Sequence, residues 1–241
     1  MALTNNNNKN SPSAHRYFRR LQRLCQFLGL AGAAAILPIV FATAGLVLTD
    51  EEISRLTKKY GQSAAERLQN WKYILLSDKK LDETQKLEIV NRFFNKVRFV
   101  SDKEHWGKID YWATPIEFLS TNGGDCEDFA IAKYLTLREL GVPNERLRIT
   151  YVKALTLNQA HMVLTYYATA SAEPLVLDNL KENISPASQR HDLVPVYSFN
   201  GDNLWLAKEL AGRGQLVGGS DRIGLWNDML ERLKKEQETK P

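Results

Sequence analysis

Asn122-Gly123-Gly124-Asp125-Cys126-Glu127-Asp128-Phe129-Ala130 is the stretch that decides how this chain is read. Two glycines end one helical segment and a cysteine opens the next. The second helix is predicted from about Cys126 to Leu140, where Gly141 and Pro143 close it. A cysteine in a first helical turn faces unpaired backbone N–H groups and the positive end of the helix dipole, and both favour a thiolate. The glycines leave room for a substrate backbone, and the Cys126 N–H is a candidate donor to an oxyanion.

Working outward, the preceding segment reads as helical. Thr114-Pro115-Ile116-Glu117 combines a cap, a proline at the first helical position and an acid at the third. Asp82 with Gln85 three residues on is a capping-box pattern, followed by Leu87, Val90, Phe94 and Val97 at helical spacing. Earlier helices carry Ile53, Leu56 and Tyr60 after a cap at Asp50, then Leu68, Trp71 and Leu75. After the cysteine helix the character changes. Leu147 to Leu155, His161 to Thr169 and Leu175 to Leu177 are rich in β-branched and aromatic residues and read as strands. Asn200-Gly201 predicts a hairpin between Val196–Phe199 and Leu204–Leu206. A closing amphipathic helix carries Leu225, Met229 and Leu233. Helices followed by an antiparallel sheet make an α+β fold, with an N-terminal helical lobe.

A thiolate becomes a catalyst when a base and an acceptor orienting that base stand beside it. His161 opens a predicted strand and Asp178 ends the next one, so antiparallel pairing would set them side by side. His105 and His191 fall in loop-like contexts.

Residues 1–44 read as a secretory signal peptide, leaving a domain at 45–241. Five cations and no acid precede an apolar run from Phe27 to Phe41, and Ala42-Thr43-Ala44 is a cleavage pattern. An uncleaved inner-membrane anchor is the competing reading, because apolar residues continue to Leu48. Removing the leader leaves 27 cations against 28 acids, a formal net charge of −1. The basic balance thus belongs to the leader, and no basic patch argues for nucleic acid. Cys25 leaves with the leader too, so Cys126 is the single thiol of an exported chain and has no partner for an internal disulfide.

Asp125, Glu127 and Asp128 flank the thiol. As first-turn carboxylates they suit the helix dipole, and as hard oxygen donors they suit a divalent cation; the residues alone leave both readings open.

Gly124-Asp125-Cys126-Glu127-Asp128, the helix behind it, His161 on one strand and Asp178-Asn179 after another resemble the bacterial transglutaminase-like cysteine proteases, the LapG family. The intervals agree, 35 residues from Cys126 to His161 and 17 more to Asp178. Trp112, Pro115, Glu117-Phe118-Leu119, Tyr197, Phe199-Asn200 and Trp205 add to the likeness, which covers nearly all of the mature chain. The resemblance implies a papain/transglutaminase-like fold and a cysteine protease with Cys126 as nucleophile, His161 as base and Asp178 as orienter. It also tips the acids Asp125, Glu127 and Asp128 toward a Ca2+ site. It further implies a periplasmic enzyme that cuts the N-terminal region of a large repetitive surface adhesin, releases biofilm cells, and is sequestered by an inner-membrane receptor for cyclic di-GMP. A transglutaminase or amidase would share the three residues, and a non-catalytic binding module could keep the fold.

Overall fold

The computed structural model describes residues 46, 48–76, 81–169, 171–206 and 214–238, so the leader read at 1–44 lies outside it. The chain divides into two units, Met1–Ala42 and Thr43–Pro241, and everything described belongs to the second.

The helical lobe follows its capping signals. Helix α1 (Asp50–Tyr60) is capped by Thr49, whose side chain accepts from the Glu52 N–H, one residue before the expected Asp50. Helix α2 (Gln62–Leu76) buries Leu68, Trp71 and Ile74. Helix α3 (Glu83–Phe94) starts at a complete capping box between Asp82 and Gln85, as the spacing predicts. A short strand β1 (Arg98–Phe99) and a one-turn helix α4 (Asp102–His105) precede α5 (Pro115–Thr121), which has the expected Thr114–Glu117 box and proline at its start.

Gly123 and Gly124 do more than end α5. They form strand β2 (Gly123–Gly124), which pairs in parallel with β1 through Arg98↔Gly123 and Phe99↔Gly124. Asn122, at φ 54, makes the left-handed turn into it. The space above these glycines is filled: a Cβ on Gly124 would lie 2.2 Å from Asp128 Oδ2, and one on Gly123 would lie 2.9 Å from His105. The protein's own side chains therefore take the room that the sequence suggested for a substrate backbone.

Helix α6 (Cys126–Glu139) is buried over most of its length. Phe129, Ile131 and Leu137 are buried on it, and Phe118 stacks edge-on against Phe129. The Trp71 indole N–H donates to Thr136 Oγ1 at 2.9 Å and fastens α2 to α6. Each such large apolar side chain contributes about 1.5–3 kcal/mol on burial, which keeps the helix that carries the cysteine rigid.

The sheet has the order β6-β5-β4-β3-β7-β8-β9, and every adjacent pair is antiparallel. Its strands are β3 (Leu147–Ala154), β4 (Gln159–Tyr166), β5 (Leu175–Leu177), β6 (Ser185–Pro186), β7 (Leu193–Phe199), β8 (Asn203–Leu206) and β9 (Gln215–Gly219). The Asn200-Gly201 hairpin joins β7 to β8 as expected, while β6 and β9 lack a strand signal. Helix α7 (Gly224–Glu238) closes the lobe with Trp226, Met229 and Leu233 buried.

Candidate active site

The β1–β2 ladder assembles the acidic part of the site. It carries the chain from Phe99 straight to α4, where the Asp102 N–H approaches Asp125 Oδ2 at 3.4 Å. Ligand-capable oxygens of Asp102, Asp110 and Glu127 lie within 4.8 Å of one another, as do those of Asp102, Asp125 and Asp128. Asp102 and Asp110 bear no sequence signal of their own; the parallel pairing delivers them.

These acids differ in what already occupies them. Asp128 is fully buried and commits both oxygens to the backbone, accepting from the Ala113 N–H at 2.7 Å and the Asp125 N–H at 3.1 Å. Expected beside Asp125 and Glu127 as a metal ligand, it lies in one of these groups and also braces the turn that presents them. By contrast, Asp102 Oδ1 and Asp125 Oδ1 are buried with no hydrogen-bond partner. Burial, reinforced by the Asp125 charge, lifts the Asp102 carboxyl to about 6. Partial desolvation by its neighbours and the same charge raise Asp110, although the residue is exposed to solvent. Burial drives Glu127 well above the usual range, helped by its hydrogen bond with Asp125. So many carboxyl groups in one partly dry volume cannot all ionise unless a cation joins them.

Cys126 sits at the start of α6 within this field. Its thiol donates to Glu127 Oε2 at 3.1 Å, and its proton affinity is pushed well above normal, first by burial and then by the charges of Glu127 and Asp125. The Met162 backbone N–H works the other way by facing the sulfur. Met162 follows His161 on β4, so helix start and strand meet at this point.

The basic part of the site is joined differently. His161 Nε2 lies 2.8 Å from Asp178 Oδ1, with both side chains buried. Pairing of β4 with β5 through Leu164↔Leu177 sets this contact, as the strand pattern predicts. Burial opposes the Asp178 charge, yet His161, the Leu180 N–H and Arg190 together hold its carboxyl down at about 2. An ionised Asp178 can only accept, so Nε2 bears the hydrogen and Nδ1 is the nitrogen left to take a proton. The side chain of Asn95, the C-cap of α3, donates to the Asp178 carbonyl at 2.9 Å, which fixes the end of β5. Of the other described histidines, His105 bonds Thr121 Oγ1 and His191 is exposed.

A helix-borne thiol facing the backbone of the strand that carries a carboxylate-paired histidine fits a papain/transglutaminase-like fold. Residues 57–207 match the family described as bacterial transglutaminase-like cysteine proteinase, BTLCP, and the chain belongs to that family. It is 45% identical to LapG of Legionella pneumophila in an EGTA-treated structure, with a TM-score of 0.68, covering 78% of this chain and 98% of that one. Against the calcium-bound LapG structure the identity is again 45%, the TM-score 0.65, and the coverage 77% and 99%. No curated protein matches the sequence.

Proposed function

We propose that this protein is an exported, calcium-dependent cysteine endopeptidase of the periplasm that cleaves the N-terminal region of a large repetitive surface adhesin. The buried 2.8 Å pair of His161 and Asp178, on the strand whose next N–H faces Cys126, carries this reading. Cys126 is the nucleophile, His161 the base and Asp178 the orienter. His161 Nδ1 takes the thiol proton, the sulfur attacks a peptide carbonyl, and the imidazolium protonates the leaving amine. Water activated by the same imidazole then hydrolyses the thioester, while Asp178 keeps the ring in one tautomer and balances its charge. The Cys126 N–H at the helix start is the candidate oxyanion donor.

The acidic cluster fits calcium. Its donors are hard oxygens, and two of them are buried without a partner. Asp102, Asp110, Asp125 and Glu127 would hold the ion, with Asp128 bracing the turn behind them. When bound, calcium supplies the positive charge that offsets the acids around the thiol. The related Legionella protein has been solved both calcium-bound and EGTA-treated, which supports the same ion for this chain. Sequestration by an inner-membrane receptor for cyclic di-GMP, and control of biofilm release, complete the proposal.

The test incubates the protein with the recombinant N-terminal region of such an adhesin from the same cell. One cut at a small-residue pair is expected in calcium, none after EGTA, and none with Cys126→Ser. Cleavage unaffected by Cys126→Ser would overturn the assignment, and incorporation of an added amine in place of water would make the protein a transglutaminase.

A further inference from the structure

The His161–Asp178 pair does not end at Asp178. Arg190 follows the turn Ala187–Gln189, and its buried guanidinium donates from Nη2 to Asp178 Oδ2 at 2.7 Å. The same Nη2 reaches Asp192 Oδ2 at 2.9 Å, and Nε reaches Asp192 Oδ1 at 2.9 Å. Asp192 stands at the edge of the solvent, with 27% of its side chain exposed. Its backbone is fixed from the opposite side, where the Leu155 N–H donates to the Asp192 carbonyl at 2.8 Å.

The charges along this row have a consequence for the reaction. An arginine held against Asp178 would by itself cancel the carboxylate that must balance the His161 imidazolium. Asp192 restores the balance: Asp178, Arg190 and Asp192 sum to one negative charge, which a protonated His161 neutralises. We propose that Arg190 is a positioning residue for the His161–Asp178 pair and that Asp192 is its counter-charge, so the site works as a four-member chain reaching the surface. This inference rests on the roles assigned to His161 and Asp178 above. Other charged groups bear on the same row: Lys133 of α6 acts on Asp178, and Lys181 acts on Asp192. A guanidinium is suited to the position because its planar fork can hold two carboxylates at fixed angles, which an ammonium cannot.

The experiment measures alkylation of Cys126 by iodoacetate across pH in the full chain in calcium, with the modified peptide identified by mass spectrometry. An anionic reagent is drawn by the imidazolium, so the alkaline fall in rate reports its loss. Arg190→Met should lower the plateau by about 10- to 100-fold through misplacement of the ring, and should move the alkaline limb to higher pH because the remaining row is more negative. Asp192→Asn should lower the plateau by about fivefold or less, and should move the limb the other way. Arg190→Lys should return the limb to its place while recovering only part of the rate. Circular dichroism shows which variants fold; if Arg190→Met does not, Arg190→Lys and Asp192→Asn decide. Folded variants with unchanged profiles, or with limbs that move in the same direction, would overturn the inference and leave a structural ion pair. If His161→Ala keeps the wild-type profile, the assignment of the base fails instead, and the four-member chain fails with it.

Discussion

The two halves of the site solve opposite electrostatic problems. On the sheet side, every charge meets an opposite partner: His161, Asp178, Arg190 and Asp192 follow one another at 2.7–2.9 Å. On the helix side, like charges crowd together, and Asp102 Oδ1 and Asp125 Oδ1 are buried without partners. The first half pairs its charges within the polypeptide, although Arg190 Nη1 is itself buried without a hydrogen-bond partner. On the proposed function, the second would be completed by an external cation, which would make activity conditional on that ion. A thiol donating to Glu127 is a protected nucleophile, and its release is tied to neutralising the acids around it.

The largest expected effects remove a reacting group. Cys126→Ser and His161→Ala should each lower cleavage in saturating calcium by about 10⁴-fold or more, and the double variant should be little worse than either, because members of one catalytic unit fail together. Normal cleavage by His161→Ala would break the comparison at its sheet side and point to His191 as the base.

Next in size is the helix side. Asp102→Asn should raise the calcium concentration needed for half-activity by roughly 100-fold, since a charged oxygen ligand is lost. In EGTA the same variant should be more stable than the wild type, with Tm higher by about 2–4 °C. The Asp102 carboxyl is lifted to about 6 in the folded protein, so the folded state holds the proton that the unfolded state has released. Chelated wild type should therefore lose stability as pH rises from about 4 to 6, and Asp102→Asn should not. A calcium titration followed by thermal melting reads both effects. Unchanged calcium dependence would remove Asp102 from the site.

The sheet side has the reverse sign. Asp178 is held at about 2, so its contribution is present above the unfolded carboxylate value and is lost as pH falls through about 2. Asp178→Asn should lose about 2–3 kcal/mol at pH 7, with the difference closing near pH 2. Urea unfolding at three pH values measures it. The smallest effect belongs to Lys133, whose buried Nζ has no hydrogen-bond partner and whose ammonium is lowered to about 7 by burial against the pull of Asp178. Lys133→Met should stabilise by about 1–3 kcal/mol. The gain should be full below pH 7 and fade toward about pH 10, where the unfolded lysine also loses its proton. A loss of stability in this variant would show that the amine is satisfied through water.

What was legible in the sequence was local. Thr114 with Glu117, and Asp82 with Gln85, announce their helices because a capping box is closed within four residues. Cys126 was legible for the same reason, and the His161–Asp178 contact followed once two neighbouring strands were read. The rest depends on where loops are carried. Asp102 and Asp110 reach Glu127 only through the two-residue β1–β2 ladder, which two glycines do not announce as a strand. Arg190 lies 12 residues past Asp178 with a strand and a turn between them, so its hydrogen bond has no local pattern. The acids beside Cys126 read alike in the sequence. Backbone geometry separates Asp128, which accepts two N–H groups, from Asp125 and Glu127.

The most direct measurement is the rate at which iodoacetamide modifies Cys126 at neutral pH, with calcium and with EGTA, in the absence of any substrate. The neutral reagent reports the thiolate alone. If the acids hold the thiol protonated until a cation offsets them, calcium should speed modification by about tenfold or more, each pKa unit of lowering being worth tenfold in thiolate. Magnesium should do so far less. Equal rates in calcium and EGTA, with calcium shown to be bound, would contradict the division of the site into a paired half and a conditional one.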